Sequence, residues 1–304
     1  MRLPTPSLKT AILGVGLIGG SMGLRLREQG WPVTGWSPRE ETLKLAMARG
    51  AISHAAASPE EAVEGAELIV VASPIRALPD MFRAIAGAAK RGAIVTDVAS
   101  VKAQVMRWAA ELLADHVRFV GGHPMAGKEV QGIVGADAEL LEGATYCLVP
   151  GSREALPALE AMVEALGARP LVIAAEDHDR AVAAASHLPF VAAAALVRAV
   201  AADLDDLAGA VASSGFRDTT RVAMASPTMH ADICNFNADA LSAAIDRLQA
   251  ELERLKRELR DPNVEQTFAE AAAVRQRWTK TRAGRRANDK RRSELRLIGG
   301  DSHE

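Results

Sequence analysis

Three glycines near the start of the chain constrain its fold more than any other feature. Gly14, Gly16 and Gly19 form G-x-G-x-x-G directly after the apolar run at residues 10–13 and at the start of a helical pattern. In that context the first glycine permits a tight turn, the second admits a pyrophosphate to the backbone, and the third lets the helix pack on a sheet. The spacing therefore predicts a Rossmann-type site for a dinucleotide, whose phosphates the helix N-terminus stabilises.

Further apolar runs alternate with helical patterns along the first half of the chain. This rhythm is typical of βαβ units around a buried parallel sheet, and it predicts one α/β domain. A further strand at residues 170–173 extends the sheet. The runs before it are residues 32–35, 68–72, 93–96, 119–120 and 144–149.

From about Glu176 the chain changes to Ala-rich and Leu-rich helical patterns without strand signals. The predicted architecture is α/β followed by all-α. Residues 1–175 form the Rossmann domain, and residues 176–280 form a helical domain for substrate binding and dimerisation. Residues 281–304 form a basic tail, which is expected to be poorly ordered because it loses its apolar periodicity.

Composition places the chain among ordinary globular proteins. Apolar residues make up 49% and charged residues 24% of the 304 residues, and the net charge is −2. No uninterrupted apolar run approaches the length that a bilayer-spanning helix needs, so we expect a cytoplasmic protein without membrane contact. Cys147 and Cys234 lie far apart without metal-ligand spacing, so the sequence indicates neither a disulfide nor a metal site.

Two features of the helical half bear on its partners. Leucines and one isoleucine recur with a 4-3 spacing between Leu241 and Leu259, a seam that fits either a homodimer or packing on its own domain. Between Lys280 and Arg296 there are eight basic and two acidic residues. The charge run could contact nucleic acid, but without interleaved aromatic residues a solvated tail is the favoured interpretation.

The second predicted strand ends without the acidic residue that normally binds the adenine ribose of NAD. Ser37 stands at that position and Arg39 follows two residues later. A hydroxyl and a guanidinium suit a 2′-phosphate, so the sequence favours NADP over NAD. The alternative is that Arg39 lies on the surface while Glu40 or Glu41 reaches the ribose.

The remaining predicted cofactor contacts follow from position. Leu17 and Ile18 lie between the glycines at the helix start, and Ser73 follows the apolar run at residues 68–72. The carboxyl ends of parallel strands line the cofactor crevice. These three residues are therefore assigned to the dinucleotide site.

Two polar segments follow later strands at the same edge of the sheet. They are residues 96–102 (TDVASVK) and residues 121–127 (GGHPMAG). His123, flanked by glycines, can reach a substrate held against the nicotinamide and accept a proton near neutral pH. The alternative is that His123 is only a structural residue in a turn. Its position at the end of a strand favours the interpretation as a general base.

Five ordered motifs resemble those of prephenate and arogenate dehydrogenases, the oxidoreductases of tyrosine biosynthesis. The resemblance extends from about residue 9 to residue 260. The motifs are residues 14–21 (GVGLIGGS), 96–102 (TDVASVK), 122–127 (GHPMAG), 186–189 (SHLP) and 215–221 (GFRDTTR).

The resemblance implies NAD(P)-dependent oxidative decarboxylation of prephenate to 4-hydroxyphenylpyruvate, or of arogenate to tyrosine. It implies that His123 accepts the proton of the ring hydroxyl and that Ser100 orients that hydroxyl or the imidazole. Arg221 would bind a substrate carboxylate through its planar fork of donors, unless it forms a structural salt bridge. Asp218 would hold Arg221 by an i,i+3 contact. His187 would line the site or serve only as a histidine at a helix start.

Two departures from the family pattern keep the substrate open. Phe190 stands where many members that use prephenate have a second histidine, and His230 replaces a tryptophan that often follows the arginine motif. Phe190 cannot donate a hydrogen bond to a keto or carboxylate group. Glu129 or Asp218 could instead bind the ammonium group of arogenate.

Two other classes of function fit parts of the sequence. A β-hydroxyacid-type dehydrogenase also joins a Rossmann domain to a helical domain, but it normally uses a lysine in the helical half, and residues 176–255 contain none. A non-catalytic regulator that senses the dinucleotide would explain the glycines and the basic tail. It would leave His123 and Arg221 together unexplained.

Overall fold

A single eight-stranded sheet organises the first part of the protein. A computed structural model of the chain describes residues 7–128, 130–204 and 207–298. Its compact units are Thr5–Ala244 and a second unit that includes the described residues from Ile245 onward. The strand order is β3-β2-β1-β4-β5-β6-β7-β8. The strands are β1 (Thr10–Leu13), β2 (Val33–Trp36), β3 (His54–Ala55), β4 (Leu68–Val71), β5 (Ile94–Asp97), β6 (Arg118–Pro124), β7 (Thr145–Pro150) and β8 (Arg169–Val172).

The sheet is parallel except for one strand pair. The central strands β1 and β4 are buried at every residue, which matches their continuous apolar sequence and confirms the predicted fold class. β7 runs antiparallel to β6. The intervening segment contains a short 3₁₀ turn, Ile133–Gly135, and no crossover helix among its described residues. A loop of this kind can join antiparallel neighbours, whereas a parallel pair needs a longer crossover.

Helices cover both faces of the sheet and bury two apolar clusters. One cluster lies between the sheet and the faces of α1 and α6, and the other lies beneath α3, α4 and α5. Burial of apolar surface on both faces is the main stabilising contribution of this layered arrangement. These helices are α1 (Leu17–Glu28), α2 (Glu40–Ala48), α3 (Pro59–Val63), α4 (Leu78–Ala88), α5 (Ala103–Leu112) and α6 (Leu156–Ala165).

After β8 the described chain is helical, as the sequence predicts. A π-helical turn, Ala183–His187, joins α7 to α8. The continuous stretch Ala175–Ala199 is long and apolar enough to cross a membrane by length and composition alone. Polar side chains in its first turns bond to the α/β part, as described below, so we interpret it as a helix of the folded domain. The helices are α7 (Ala175–Val182), α8 (Leu188–Ala199), α9 (Ala201–Leu204), α10 (Leu207–Val211), α11 (Ser214–Thr220), α12 (Pro227–Phe236), α13 (Ala238–Glu258) and α14 (Val264–Ile298).

The last two helices contain the leucine seam and much of the predicted tail. On α13, Leu241 is buried, whereas Leu252 is exposed, as is Leu259 just after the helix. Helix α14 continues to Ile298, whereas the sequence predicts a poorly ordered tail from residue 281. The segment from residue 281 to residue 298 is rich in Arg, which has high intrinsic helix propensity even without an apolar face. Residues 299–304 lie outside the described residues.

A buried ion pair joins the carboxyl ends of β5 and β6. The side chains of Asp97 and Lys102 are both 0% exposed, and the Lys102 ammonium donates to an Asp97 oxygen. Lys102 Nζ also donates to the carbonyl of Gly122 at 2.7 Å. The other Asp97 oxygen accepts from the Gly122 N–H at 2.9 Å. The pair therefore bonds both backbone polar groups of the residue that precedes His123.

We predict that Lys102→Met lowers the free energy of unfolding by about 3–5 kcal/mol, because it leaves the Asp97 carboxylate buried without a counter-charge. Lys44→Met is the matched control, since Lys44 forms a solvent-exposed ion pair with Glu40 on α2 and its loss should change stability little. Denaturant unfolding of both variants measures the difference. Equal stabilities for the two variants would refute the structural role of the buried pair.

Candidate active site

In the glycine turn, the fold requires glycine at two positions and leaves space for a side chain at the third. Gly14 has φ of +104°, and a Cβ there would lie 2.5 Å from the carbonyl oxygen of Ala72. A Cβ at Gly19 would lie 2.0 Å from the Gly14 oxygen. At Gly16 a Cβ would meet no atom within 4 Å, although the residue stands at the N-terminus of α1. This open space at a helix N-terminus fits the pyrophosphate of a dinucleotide, with Leu17 beginning the helix and Ile18 following it.

The candidate adenosine end of the site lies after β2. The Ser37 hydroxyl accepts a long hydrogen bond (3.4 Å) from the Arg39 N–H, and the Arg39 side chain is exposed immediately before α2. The Glu40 carboxylate is 2.7 Å from the ammonium of Lys44, so this acid already has a partner on its own helix. The Ser73 hydroxyl donates to the Leu13 carbonyl at 3.0 Å and thereby joins the ends of β1 and β4.

His123 lies near the end of β6 and is almost completely buried. Its Nδ1 is 2.8 Å from Nε2 of His178 on α7. Burial holds the pKa of His123 well below its usual value, and the nearby His178, Lys102 and His187 lower this pKa further. His123 is therefore neutral at physiological pH, the form in which an imidazole can accept a proton.

Asp179 connects His178 to the start of α5. One Asp179 oxygen lies 2.7 Å from His178 Nδ1 and accepts the Lys102 N–H at 2.7 Å, and the other accepts the Ala103 N–H at 2.8 Å. Burial alone would raise the pKa of Asp179, but the hydrogen bonds from His178 and the two backbone N–H groups outweigh it, so the pKa lies below its usual value. The carboxylate is thus ionised and lies at a helix N-terminus, where negative charge is stabilised.

His187 is a second buried imidazole in the same cluster. The amide nitrogen of Asn237 donates to the carbonyl of Asp179 at 2.9 Å and to Nδ1 of His187 at 3.2 Å. Because Nδ1 accepts, neutral His187 carries its proton on Nε2. Burial lowers the pKa of His187 to about 4; Asp179 opposes this shift, while His178 and His230 add to it.

The other residues predicted to bind substrate lie on the helical part of the same unit. Arg221 is exposed at the start of the 3₁₀ turn Arg221–Met224. Within the described part of the chain, Asp218 forms an ion pair with Arg217 at 3.2 Å. The i,i+3 spacing predicts a contact with Arg221 instead. Ser100 is partly buried in the loop between β5 and α5. Glu129 lies outside the described residues.

The two positions that depart from the family pattern contact each other. Phe190 on α8 stacks on His230 of α12, with ring centroids 3.6 Å apart and an interplanar angle of 17°. His230 Nδ1 donates to the Ser226 carbonyl at 3.0 Å. The two substitutions therefore form one aromatic contact.

Sequence reasoning missed the partners that surround His123. His178 and Asp179 occur in the charged string DHDR, which is indistinguishable in sequence from a solvated first turn of a helix. Asn237 carried no signal at all. Lys102 belongs to a motif that the sequence analysis identified, but its burial was not predicted.

The fold and this cluster together define a class, that of two-part dehydrogenases built on a Rossmann-type sheet with a strand-end histidine. Residues 22–172 match the family model described as prephenate dehydrogenase, nucleotide-binding domain, and residues 174–272 match the one described as prephenate dehydrogenase, dimerization domain. The chain belongs to the prephenate dehydrogenase family.

Individual relatives agree with this assignment. The chain is 33% identical over 244 residues to the prephenate dehydrogenase of Bacillus subtilis (strain 168), covering 77% of this chain and 66% of that protein's length. The structure is similar to that of Synechocystis arogenate dehydrogenase, with a TM-score of 0.79, 32% identity, and coverage of 89% of this chain and 100% of that one. It also resembles prephenate dehydrogenase from A. aeolicus in complex with hydroxyphenyl propionate and NAD⁺, with a TM-score of 0.82, 27% identity, and coverage of 91% and 99%.

We predict that Gly16→Ala folds normally but weakens dinucleotide binding about tenfold or more, because the new methyl group occupies the space that a pyrophosphate approaches. Gly19→Ala should instead destabilise the fold, since its methyl group overlaps the Gly14 carbonyl. Gly87→Ala, at an open position in α4, is the control. Fluorescence titration with the dinucleotide and thermal unfolding separate the effects. Unchanged affinity in Gly16→Ala would show that the turn does not hold the phosphates.

Proposed function

We propose that the protein catalyses the NAD(P)-dependent oxidative decarboxylation of prephenate to 4-hydroxyphenylpyruvate. The observation that carries this proposal is His123, a buried histidine held neutral at a strand end of the cofactor edge. Membership of the prephenate dehydrogenase family supports the choice of reaction. A neutral imidazole is well suited to act as the general base in the oxidation of an alcohol near pH 7.

The protein's own groups perform the acid–base and binding steps. The bound nicotinamide supplies the hydride acceptor. His123 Nε2 accepts the proton of the ring C4 hydroxyl, which promotes departure of hydride from C4. The ring carboxylate then leaves as carbon dioxide, and its bonding electrons complete the aromatic ring. Ser100 orients the hydroxyl, Arg221 binds a substrate carboxylate, and His187 offers an N–H donor at the site.

Arogenate is the alternative substrate. The likeness to Synechocystis arogenate dehydrogenase supports it, and so does Phe190, which provides an aromatic ring where prephenate-using relatives often have a hydrogen-bonding histidine. Arg221 can bind a carboxylate of either compound and should not discriminate between them. Steady-state rates with prephenate and with arogenate, each with NAD and NADP, decide between the two substrates.

NADP is the proposed preferred cofactor. The Arg39 guanidinium is exposed just beyond β2, where the ribose of a dinucleotide would lie. Glu40 pairs with Lys44, which disfavours the alternative in which this carboxylate binds the ribose hydroxyls of NAD. Arginine can pair with a 2′-phosphate through two parallel hydrogen bonds.

We also propose that the protein is a cytoplasmic homodimer. Residues 174–272 match a domain described as a dimerization domain. Leu252 and Leu259 are exposed large apolar residues along the predicted seam, and a second copy would remove them from water.

We predict that His123→Asn lowers kcat by about 10²–10⁴-fold, because the variant lacks the general base, while dinucleotide affinity stays nearly unchanged. His116→Asn is the control, since the side chain of this partly buried histidine bonds to the Ala89 carbonyl, away from the cluster around His123. Turnover with prephenate and arogenate and binding of the dinucleotide are measured for both variants. Wild-type turnover in His123→Asn would remove His123 from the mechanism.

For the cofactor, we predict that Arg39→Ala weakens NADP binding by about ten- to a hundredfold, as expected for a lost charge-assisted pair, and changes NAD binding little. Arg91→Ala serves as the control because Arg91 is exposed and precedes β5, at the amino ends of the strands rather than at their carboxyl ends. Dissociation constants for both dinucleotides test this. Tighter binding of NAD than of NADP by the wild type would contradict the proposed preference.

A further inference from the structure

Three buried side chains form a continuous series of hydrogen bonds that ends on the proposed base. Nδ1 of His123 lies 2.8 Å from Nε2 of His178, and Nδ1 of His178 lies 2.7 Å from an oxygen of Asp179. All three residues are less than a tenth exposed. Each contact contains one shareable proton, so the proton positions along the series are linked.

The Asp179 carboxylate sets the direction of the series. It is ionised, and it already accepts the backbone N–H groups of Lys102 and Ala103 at the start of α5. An ionised carboxylate has no proton to donate, so the proton in its contact with His178 must be on His178 Nδ1. In the neutral form of His178, this leaves a lone pair on Nε2.

That lone pair determines the state of His123. Because His178 Nε2 can only accept, His123 Nδ1 must donate the proton that lies between the two rings. Neutral His123 therefore has its lone pair on Nε2, the nitrogen that remains for a substrate hydroxyl. With the opposite tautomer, Nε2 would carry a proton and could not accept another.

We propose that His178 and Asp179 are positioning residues that fix His123 in the tautomer able to accept a proton on Nε2. This inference rests on the proposed function of His123 as the base. When His123 takes up the substrate proton, His178 Nε2 still accepts from Nδ1, and the Asp179 charge stabilises the resulting imidazolium through the His178 ring.

The nearby His187 shows that the tautomers in this cluster are set individually. Its Nδ1 accepts from the Asn237 amide, so its own proton lies on Nε2. His123 is thus an acceptor at Nε2, whereas His187 is a donor at Nε2. Burial alone would not produce this difference, because both rings are buried.

Nuclear magnetic resonance of ¹⁵N-labelled histidine tests the tautomer without requiring any activity. The chain has 7 histidines, and the His123→Asn variant identifies the His123 signals. We expect neutral wild-type His123 to carry its proton on Nδ1. In His178→Phe, which keeps a ring but removes both hydrogen bonds, the proton should move predominantly to Nε2. A wild-type His123 protonated on Nε2, or an unchanged tautomer in folded His178→Phe, overturns the proposal.

Kinetics of three variants test the coupling. His178→Phe and Asp179→Asn should each lower kcat by about 10²-fold or more, with KM and dinucleotide affinity within about twofold of wild type. Asp179→Asn removes the carboxylate charge, so the variant neither holds the proton on His178 Nδ1 as firmly nor stabilises the imidazolium of His123. Because Asp179 acts through His178, the double variant should be no slower than the slower single variant.

The matched control is His116→Phe, which makes the same substitution away from the cluster and should leave kcat unchanged. Additive losses in the double variant would show that the two residues act separately and would overturn the series as drawn. Asp179→Asn provides the test if His178→Phe does not fold. Failure of the proposed function has a different signature: wild-type protein inactive on both prephenate and arogenate, with the Nδ1–H tautomer of His123 in place.

Discussion

The ion pair between Asp97 and Lys102 is the constraint on which the geometry of the site depends. A fully buried lysine and aspartate are tolerated only because each satisfies the other and bonds to nearby backbone groups. The pair fixes the N–H and the carbonyl of Gly122. The side chain of the next residue, His123, therefore projects from β6 in one defined direction. The backbone N–H of the same lysine bonds to Asp179. One short segment between β5 and α5 thereby connects the sheet to α7.

Signals that are local in sequence were sufficient to predict the fold and one end of the site. The glycine turn and the apolar runs depend on residues a few positions apart, and the parallel sheet places successive strand ends at one edge. His123 could therefore be selected from the sequence as a candidate base. The antiparallel β7 was harder to predict, because an apolar run of this length fits either strand direction.

The partners of His123 could not be predicted because they depend on contacts between distant parts of the chain. His178 is 55 positions from His123, and Asp179 contacts Lys102 from 77 positions away. In sequence, the charges at residues 177–180 are typical of an exposed helix start. Two of them are buried only because α7 packs against the start of α5, and no local pattern reports that packing. A local pattern can also suggest a partner that differs from the one in the structure. The i,i+3 spacing allows Asp218 to contact Arg221, but Asp218 forms an ion pair with Arg217.

The π-helical turn at Ala183–His187 has a consequence for how this family can vary. A π turn holds one more residue than the α-helical turn that it replaces, and such turns are found at functional sites. Removing a single residue there would restore a regular α-helical turn and leave the side chains before and after it in nearly the same orientation, because the wide turn accommodates the extra residue. Removing a residue from the regular α-helix on either side would instead rotate every side chain beyond it by about 100°. A one-residue gap between residues 183 and 187 in a sequence alignment is therefore compatible with an unchanged helical face, whereas the same gap elsewhere in α7 or α8 implies that different side chains line that face.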